Sequence, residues 1–340
     1  MFVGKYRNIL VYGKNAREAA DKLRTARTKQ GGIPLHRLTL ADWLEQWIED
    51  SRKDGTYTGG TADGYEGVYK KYIVPAIGKV KLSALTANHL RDLLSTLERD
   101  GVSAGRRKRV RLVVKASLAE AYMRDLVVGN VADRVRPVKA PTIPRRSISL
   151  DAALAFIKAA RGDRNEALYL MLLLNGIRES EAFGLYPCDV DREAGVIRIN
   201  RKLYERKGGL YEEPPKGGKA ATVPLAPFLV EPIERYLATR KEAEWPYLFL
   251  SERGQRLRRS VFLRKVWHPF REKHGLPYMV PHQLRHTTST LLKRLGVPIE
   301  VRKEILRHAS ISTTDLHYDD EIPELQRDAL SKLSDLLGME

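Results

Sequence analysis

Residues 281–289 read PHQLRHTTS, and this stretch governs how the second half of the chain is understood. It opens a helix that continues through Leu291 and Leu292. His282 and Arg285 stand three apart, so on that helix they share a face and can reach one ligand together. A helix N-terminus adds backbone donors and the positive end of a dipole, which suits an anion. His282 and His286 are four apart, the spacing of zinc-binding helices. The metalloprotease pattern needs a glutamate beside the first histidine, and Gln283 stands there instead, so no metal is expected. His286 reads as a packed, hydrogen-bonded residue.

Working outward, the same chemistry recurs on both sides. Arg178 lies upstream in LLNGIRESEAFGL and Lys216 in PPKGGKAATVPL; His308 and Tyr318 lie downstream in LRHASISTTDLHY. Two arginines, a lysine, two histidines and a tyrosine can together transfer a phosphoryl group on DNA without a metal. Breaking a phosphodiester requires a clamp for the pentavalent transition state, a nucleophile, and an acid for the departing oxygen. Arginine suits the clamp, because its planar fork holds two phosphate oxygens and stays charged. Lysine is a flexible proton donor, and a phosphate neighbour holds it charged until the leaving 5′ oxygen needs the proton. A free phenol has a pKa of about 10, so the tyrosine needs neighbouring cations and a base to act as a nucleophile. Tyr204, Tyr211 and Tyr278 are alternative nucleophiles, and Lys219 competes with Lys216. No Walker-type glycine loop is present, in keeping with chemistry that conserves bond energy in an ester.

The order and local contexts of these residues resemble the tyrosine recombinases, the phage-integrase family, strongly over residues 145 to 320 and by pattern over 40 to 135. The resemblance implies an α+β fold, mainly α with a small antiparallel β-sheet. It would combine a helical core-binding domain with a tyrosine-recombinase catalytic domain. It implies that Arg178 and Arg285 clamp the scissile phosphate, with His282 and His308 beside them, Lys216 as acid and Tyr318 as nucleophile. The family's hairpin spacing selects Lys216 over Lys219. Glu181 matches an acidic residue that supports the active-site arginine and histidine. Arg307 departs from the pattern, which usually has glycine before the second histidine and gains a close backbone approach from it. The product would be a 3′-phosphotyrosine with a free 5′ hydroxyl, formed without cofactor. The implied partner is double-stranded DNA. The chain would be a monomer without DNA and a homotetramer in the synaptic complex, with room for a host DNA-bending protein or an excisionase. A type IB topoisomerase-like nicking enzyme shares this chemistry but needs one site and no tetramer. A DNA-binding protein that has lost catalysis is the third reading, and the intact residue set argues against it.

The rest of the chain is consistent with two or three domains. Tyr6 to Tyr12 reads as a short strand and Lys14 to Lys29 as a basic helix, so residues 1–35 form a small extension resembling part of an arm-site-binding domain. Residues 36–135 read as helical. Leu40, Trp43, Leu44 and Trp47 recur at helical spacing, as do Tyr65, Tyr69 and Tyr72. A third helix follows Thr86 and a fourth starts near Ser103. The fourth places Arg107, Lys108, Arg111 and Lys115 on one side and Val110, Val114 and Leu118 on another. With almost no acid on the helix to balance it, the charged side is a candidate for phosphate contact. Residues 136–149, RPVKAPTIPRRSIS, form a basic proline-rich linker whose Arg145 and Arg146 are further DNA-binding candidates. Such a linker would let two domains close around a duplex. The catalytic domain is expected over 150–340, with helices at Leu150–Ala160 and Arg164–Leu174. Strands follow at Val196–Leu203, Leu210–Glu213 and Ala221–Leu225. A tail stripe of Ile322, Leu325, Ala329, Leu333 and Leu336 would pack either on its own domain or on a neighbouring subunit.

Composition narrows the partner class. The 340 residues carry 60 Lys and Arg against 42 Asp and Glu, a net charge of +18. That excess points to a polyanion, either nucleic acid or an anionic membrane. The longest apolar run, Ala167 to Leu174, is far short of the ~20 residues that span a bilayer. The N-terminus MFVGKYRNILVYGK lacks an apolar core followed by a small-residue cleavage site. Cys188 is the single cysteine, which excludes an internal disulfide and a multi-cysteine zinc site. A cytoplasmic, nucleoid-associated protein is the expectation.

Overall fold

The structure, a computed structural model, describes residues 2–6, 9–15, 18, 37–141, 147–206, 209–215, 218–240, 244–307 and 322–338. The chain divides into two compact units, 1–143 and 144–340, each with its own core.

The first unit begins with an antiparallel hairpin of β1 (Phe2–Tyr6) and β2 (Ile9–Gly13), in register from Tyr6↔Ile9 to Phe2↔Gly13. The single strand expected over Tyr6–Tyr12 is therefore the second half of a hairpin, because the chain reverses between Tyr6 and Ile9. The helix expected over Lys14–Lys29 falls outside the described residues, apart from Lys14, Asn15 and Glu18.

Helices α1 (Leu40–Lys53), α2 (Gly59–Val68), α3 (Val74–Ile77), α4 (Ala87–Arg99) and α5 (Ala104–Met123) make the rest of this unit. Their starts are written in the caps. Thr39 accepts a hydrogen bond from the Asp42 amide, while the Asp42 carboxylate accepts from the Thr39 amide. Ser103 Oγ likewise accepts from the Arg106 amide. The apolar faces meet in one core around Trp43 and Trp47. The Trp43 indole donates to the Ser117 carbonyl at 3.0 Å, and Trp47 stacks on Tyr65 with ring centroids 5.4 Å apart.

Between α2 and α3, Tyr69–Ile73 widens into a π-type turn, and Leu263–Trp267 does the same before residue 268 in the second unit. In both places a proline follows, Pro75 or Pro269. Proline has no N–H and its ring crowds the carbonyl four residues back, so the wider turn accommodates it without breaking the helical path.

The second unit is built on α6 (Leu150–Ala160), α7 (Glu166–Leu174) and α8 (Glu179–Phe183), followed by strands and then helices to the end. Every residue of α7 is buried: Ala167 to Leu174 are apolar all round, as a core helix requires, and Glu166 at its start pairs with Arg235. The strands are β3 (Val190–Asp191), β4 (Val196–Ile199), β5 (Lys202–Arg206), β6 (Gly209–Glu213) and β7 (Ala221–Pro224). They form a three-stranded antiparallel sheet in the order β3-β4-β7 and a separate β5-β6 hairpin. The strand expected over Val196–Leu203 is thus split between two sheets. The buried Asp189 carboxylate binds Asn200 Nδ2 at 2.8 Å and the Arg201 guanidinium, turning the chain at that corner.

Helices α9 (Val230–Thr239), α10 (Arg259–Phe262), α11 (His268–Lys273), α12 (Pro281–Arg294), α13 (Ile299–Leu306) and α14 (Ile322–Leu336) complete the unit. Phe156, Tyr169, Trp267 and Phe270 cluster at the centre. The tail helix α14 buries Ala329, Leu330 and Leu333 in this same core and packs on α7, α12, α13 and β7. Of the two packings open to the tail stripe, the structure takes the one on its own unit.

Candidate active site

Arg178 precedes α8 as its N-cap residue, in extended conformation. Its backbone amide donates to Glu181 Oε2 at 3.1 Å and its Nη1 to Glu181 Oε1 at 2.9 Å. Arg178 and Glu181, three residues apart, thus form an ion pair. Its Nη2 donates to the carbonyl of Arg307 at 3.2 Å.

Arg285 arrives from the opposite side, one turn inside α12. Its side chain is 3 % exposed, and Nη1 donates to the carbonyl of Gly176. Gly176 makes this possible by turning the chain after α7 at φ +55. A Cβ there would sit 2.6 Å from Leu306 Cδ2 and oblige that side chain to shift, and the positive φ would strain any residue other than glycine. Thr288 Oγ1 bonds the carbonyl of Leu173 and locks α12 onto α7. Two arginines 107 positions apart in sequence are thereby seated against the same short connection between α7 and α8.

Arg307 joins them. Sequence reading noted it only as a departure from glycine and gave it no part in the site. It ends α13 in the left-handed region, at φ 49 and ψ 55, and its carbonyl meets Arg178 as a glycine's would. Its own Nη2 donates to Glu181 Oε2 at 2.8 Å. Glu181, 2 % exposed, is the shared counter-ion of Arg178 and Arg307.

Three guanidinium groups against one carboxylate leave positive charge in excess. Burial, with Arg178 and Arg307 alongside, lowers the Arg285 guanidinium to about 9, still charged at neutral pH. Burial likewise lowers Arg307, opposed by Glu181. For Glu181, burial acts to raise the carboxyl, but Arg307 and Arg178 outweigh it and hold it below its ordinary range. A depressed carboxyl stabilises the fold above its unfolded pKa, and that contribution is lost as pH falls through the folded value. Glu181→Gln should therefore unfold earlier at pH 7, by roughly 3–5 kcal/mol for a broken buried pair. The difference from wild type should shrink on acidification, as read by thermal melts across pH.

His282 is exposed at the start of α12, its ring edge-on to His286 with centroids 4.7 Å apart. The half-buried His286 carries the packed role expected of it. Lys216, His308 and Tyr318, and the linker residues Arg145 and Arg146, lie outside the described residues. The strands flanking Lys216, β6 and β7, pair with different partners, so the segment between them crosses from one sheet to the other.

The cationic side of α5 divides in use. Arg111 donates Nε to the carbonyl of Val135 and Nη2 to that of Ala132, both at 3.0 Å. Arg107 pairs with Glu98 at 2.6 Å, and Lys115 with Asp133 at 2.6 Å. The acids absent from the helix itself come from neighbouring elements. Lys108 is exposed. Arg111→Ala should lower the melting temperature, by about 1–3 kcal/mol for charged hydrogen bonds. Lys108→Ala should leave stability unchanged and reduce the salt slope of DNA binding by about one. Equal effects of the two substitutions on DNA affinity alone would contradict this division.

Among the described residues no helix is long and apolar enough to cross a membrane. The model of the phage integrase family matches residues 148–323, and that of the phage integrase N-terminal SAM-like domain matches 39–97. The chain is 26% identical over 362 residues to the tyrosine recombinase XerC-like protein of Caldanaerobacter subterraneus subsp. tengcongensis, covering 96% of this chain and 91% of that protein. It is 30% identical over 235 residues to tyrosine recombinase XerA of Pyrococcus horikoshii, covering 68% and 75%. In fold it is similar to the Tn1549 transposon integrase in complex with circular intermediate DNA, with a TM-score of 0.68 and 20% identity over 85% of this chain and 100% of that one. The lambda integrase tetramer bound to a Holliday junction gives 0.60 and 16%, over 93% and 95%. With both family models matched in chain order and a relative at 30% identity over two thirds of its length, the chain belongs to the phage integrase family and is a tyrosine-type site-specific recombinase.

Proposed function

We propose that the chain cuts and rejoins double-stranded DNA through Tyr318. Arg178 and Arg285 hold the non-bridging oxygens of one scissile phosphate. Tyr318 Oη bonds to phosphorus as the bond to O5′ breaks. The phenolic proton passes to a neighbouring histidine, His308 or His282, and O5′ takes a proton from Lys216. The result is a 3′-phosphotyrosine and a free 5′ hydroxyl, which the reverse sequence rejoins to a new partner strand. The division of labour is a core-binding domain over 36–135, a linker over 136–149 and a catalytic domain over 150–340. Residues 1–35 are an extension that contacts arm-type DNA. Arg107, Lys108, Arg111, Lys115, Arg145 and Arg146 were the sequence candidates for backbone contact; Lys108 is the strongest of the described ones.

The observation that supports this most is the pair of arginines, Arg178 and Arg285, gathered on the Gly176 connection around a buried acid. A surface cation has no need of such seating; a phosphate clamp does. The lambda integrase relative assembles as a tetramer on a Holliday junction, and the present chain would likewise act as a tetramer on two paired sites, inserting or excising a mobile element from intracellular DNA.

The test is a plasmid assay. Supercoiled DNA with two copies of the attachment site should recombine, and a plasmid of random sequence should stay supercoiled. Rapid relaxation of the random plasmid would instead favour a topoisomerase-like enzyme.

A further inference from the structure

We propose that Arg307 is a third guanidinium contact to the scissile phosphate, an inference that rests on the reading of Arg178 and Arg285 given above. The residue occupies a place where the fold itself asks for glycine. At φ 49 it is one of two non-glycine residues with positive φ among those described, the other being Asp125. Glycine takes this conformation freely at a helix end, whereas a side chain strains it. The backbone task there, accepting from Arg178 Nη2, needs only the carbonyl.

The side chain adds a further burden to the fold. It turns inward, 13% exposed, beside two other arginines. One donor, Nη2, reaches Glu181, while Nε and Nη1 are buried without a hydrogen-bond partner among the described residues. Arg285 Nη2 is in the same condition. Buried donors of this kind are rare in folded proteins and call for an explanation. Here they belong to two guanidinium groups that both feel the charge of Arg178, and Arg285 feels that of Arg307 as well. One tetrahedral anion with several acceptor oxygens matches all of them and offsets their mutual repulsion. A strained, repulsive arrangement of this sort is the mark of a site held ready for its ligand. Glu181 holds Nη2 of Arg307 as it holds Nη1 of Arg178, and Nε and Nη1 of Arg307 are left for a further acceptor.

The experiment uses the full chain and a nicked duplex selected from a random library by the wild-type protein. Two versions carry either a phosphodiester or an uncharged methylphosphonate at the scissile position. Covalent adduct is followed at saturating DNA for wild type, Arg307→Gly, Arg307→Lys and Arg285→Ala, alongside melting temperatures. Arg307→Gly keeps the backbone carbonyl and removes the side chain with its guanidinium. It should melt no lower than wild type, yet form adduct about a hundredfold more slowly on the phosphodiester. The deficit should narrow on the methylphosphonate, where one negative charge fewer must be stabilised. Arg307→Lys, with charge but no fork, should fall between. Wild-type cleavage by Arg307→Gly with Arg285→Ala inactive would overturn the proposal and leave the site standing. An equal deficit on both linkages would also overturn it, by showing that Arg307 acts only through Glu181. Wild-type cleavage by Arg285→Ala would bring down the site reading itself.

Discussion

Tyr318→Phe should bind its DNA site with wild-type affinity and yield no covalent adduct on a denaturing gel. The substitution removes one oxygen, the atom that in the proposed mechanism bonds to phosphorus. Phenylalanine keeps the ring and loses only the hydroxyl, so folding and assembly should be unaffected. Affinity comes from many phosphate contacts spread over a chain with a net charge of +18, and loss of a hydroxyl barely changes it. The effect on chemistry is therefore complete where the effect on binding is nil. A surviving adduct would pass the role to another tyrosine. The structure gives the alternatives other settings: Tyr204 and Tyr211 oppose each other across β5 and β6, and Tyr278, 72% exposed, stacks near His268.

Arg285→Ala should slow cleavage about a thousandfold, the upper range for one donor aimed at developing charge in a dry site. Its guanidinium is buried, one edge is held by the Gly176 carbonyl, and the other edge has a nitrogen without a partner among the described residues. A lysine in its place would keep the charge but lose the planar fork, so Arg285→Lys should recover only part of the rate. Stability is a separate readout. Alanine leaves the Gly176 carbonyl unpaired, which destabilises, and removes a cation from beside Arg178 and Arg307, which stabilises. The melting temperature should thus move much less than the rate. A variant that binds DNA, melts normally and still cleaves at the wild-type rate would refute the clamp.

Much of the fold could be read directly from residue patterns. The helix starts expected after Thr86 and near Ser103 are local hydrogen-bond signals, and the structure uses both residues as caps. The apolar spacing of Leu40, Trp43, Leu44 and Trp47 identified a buried face that is indeed buried. The β region was harder. Val196 to Leu203 has continuous strand character, yet it divides between two sheets at Asn200 and Arg201, where both side chains bond the Asp189 carboxylate. The hairpin at the N-terminus was missed for a related reason, since pairing partners are not visible in a single strand's alternation.

The sequence candidates Arg178, His282, Arg285 and the acid Glu181 were chosen because their type and local spacing suit the chemistry. Spacing along one helix determines which residues share a face, and that much belongs to the sequence alone. What lies opposite that face does not. Whether Arg111 meets DNA or the carbonyls of Ala132 and Val135, whether Arg307 points to solvent or to Glu181, and whether α14 packs on its own unit depend on segments brought together from distant parts of the chain. Those contacts arise from the packing of whole elements, and only the tertiary structure decided them.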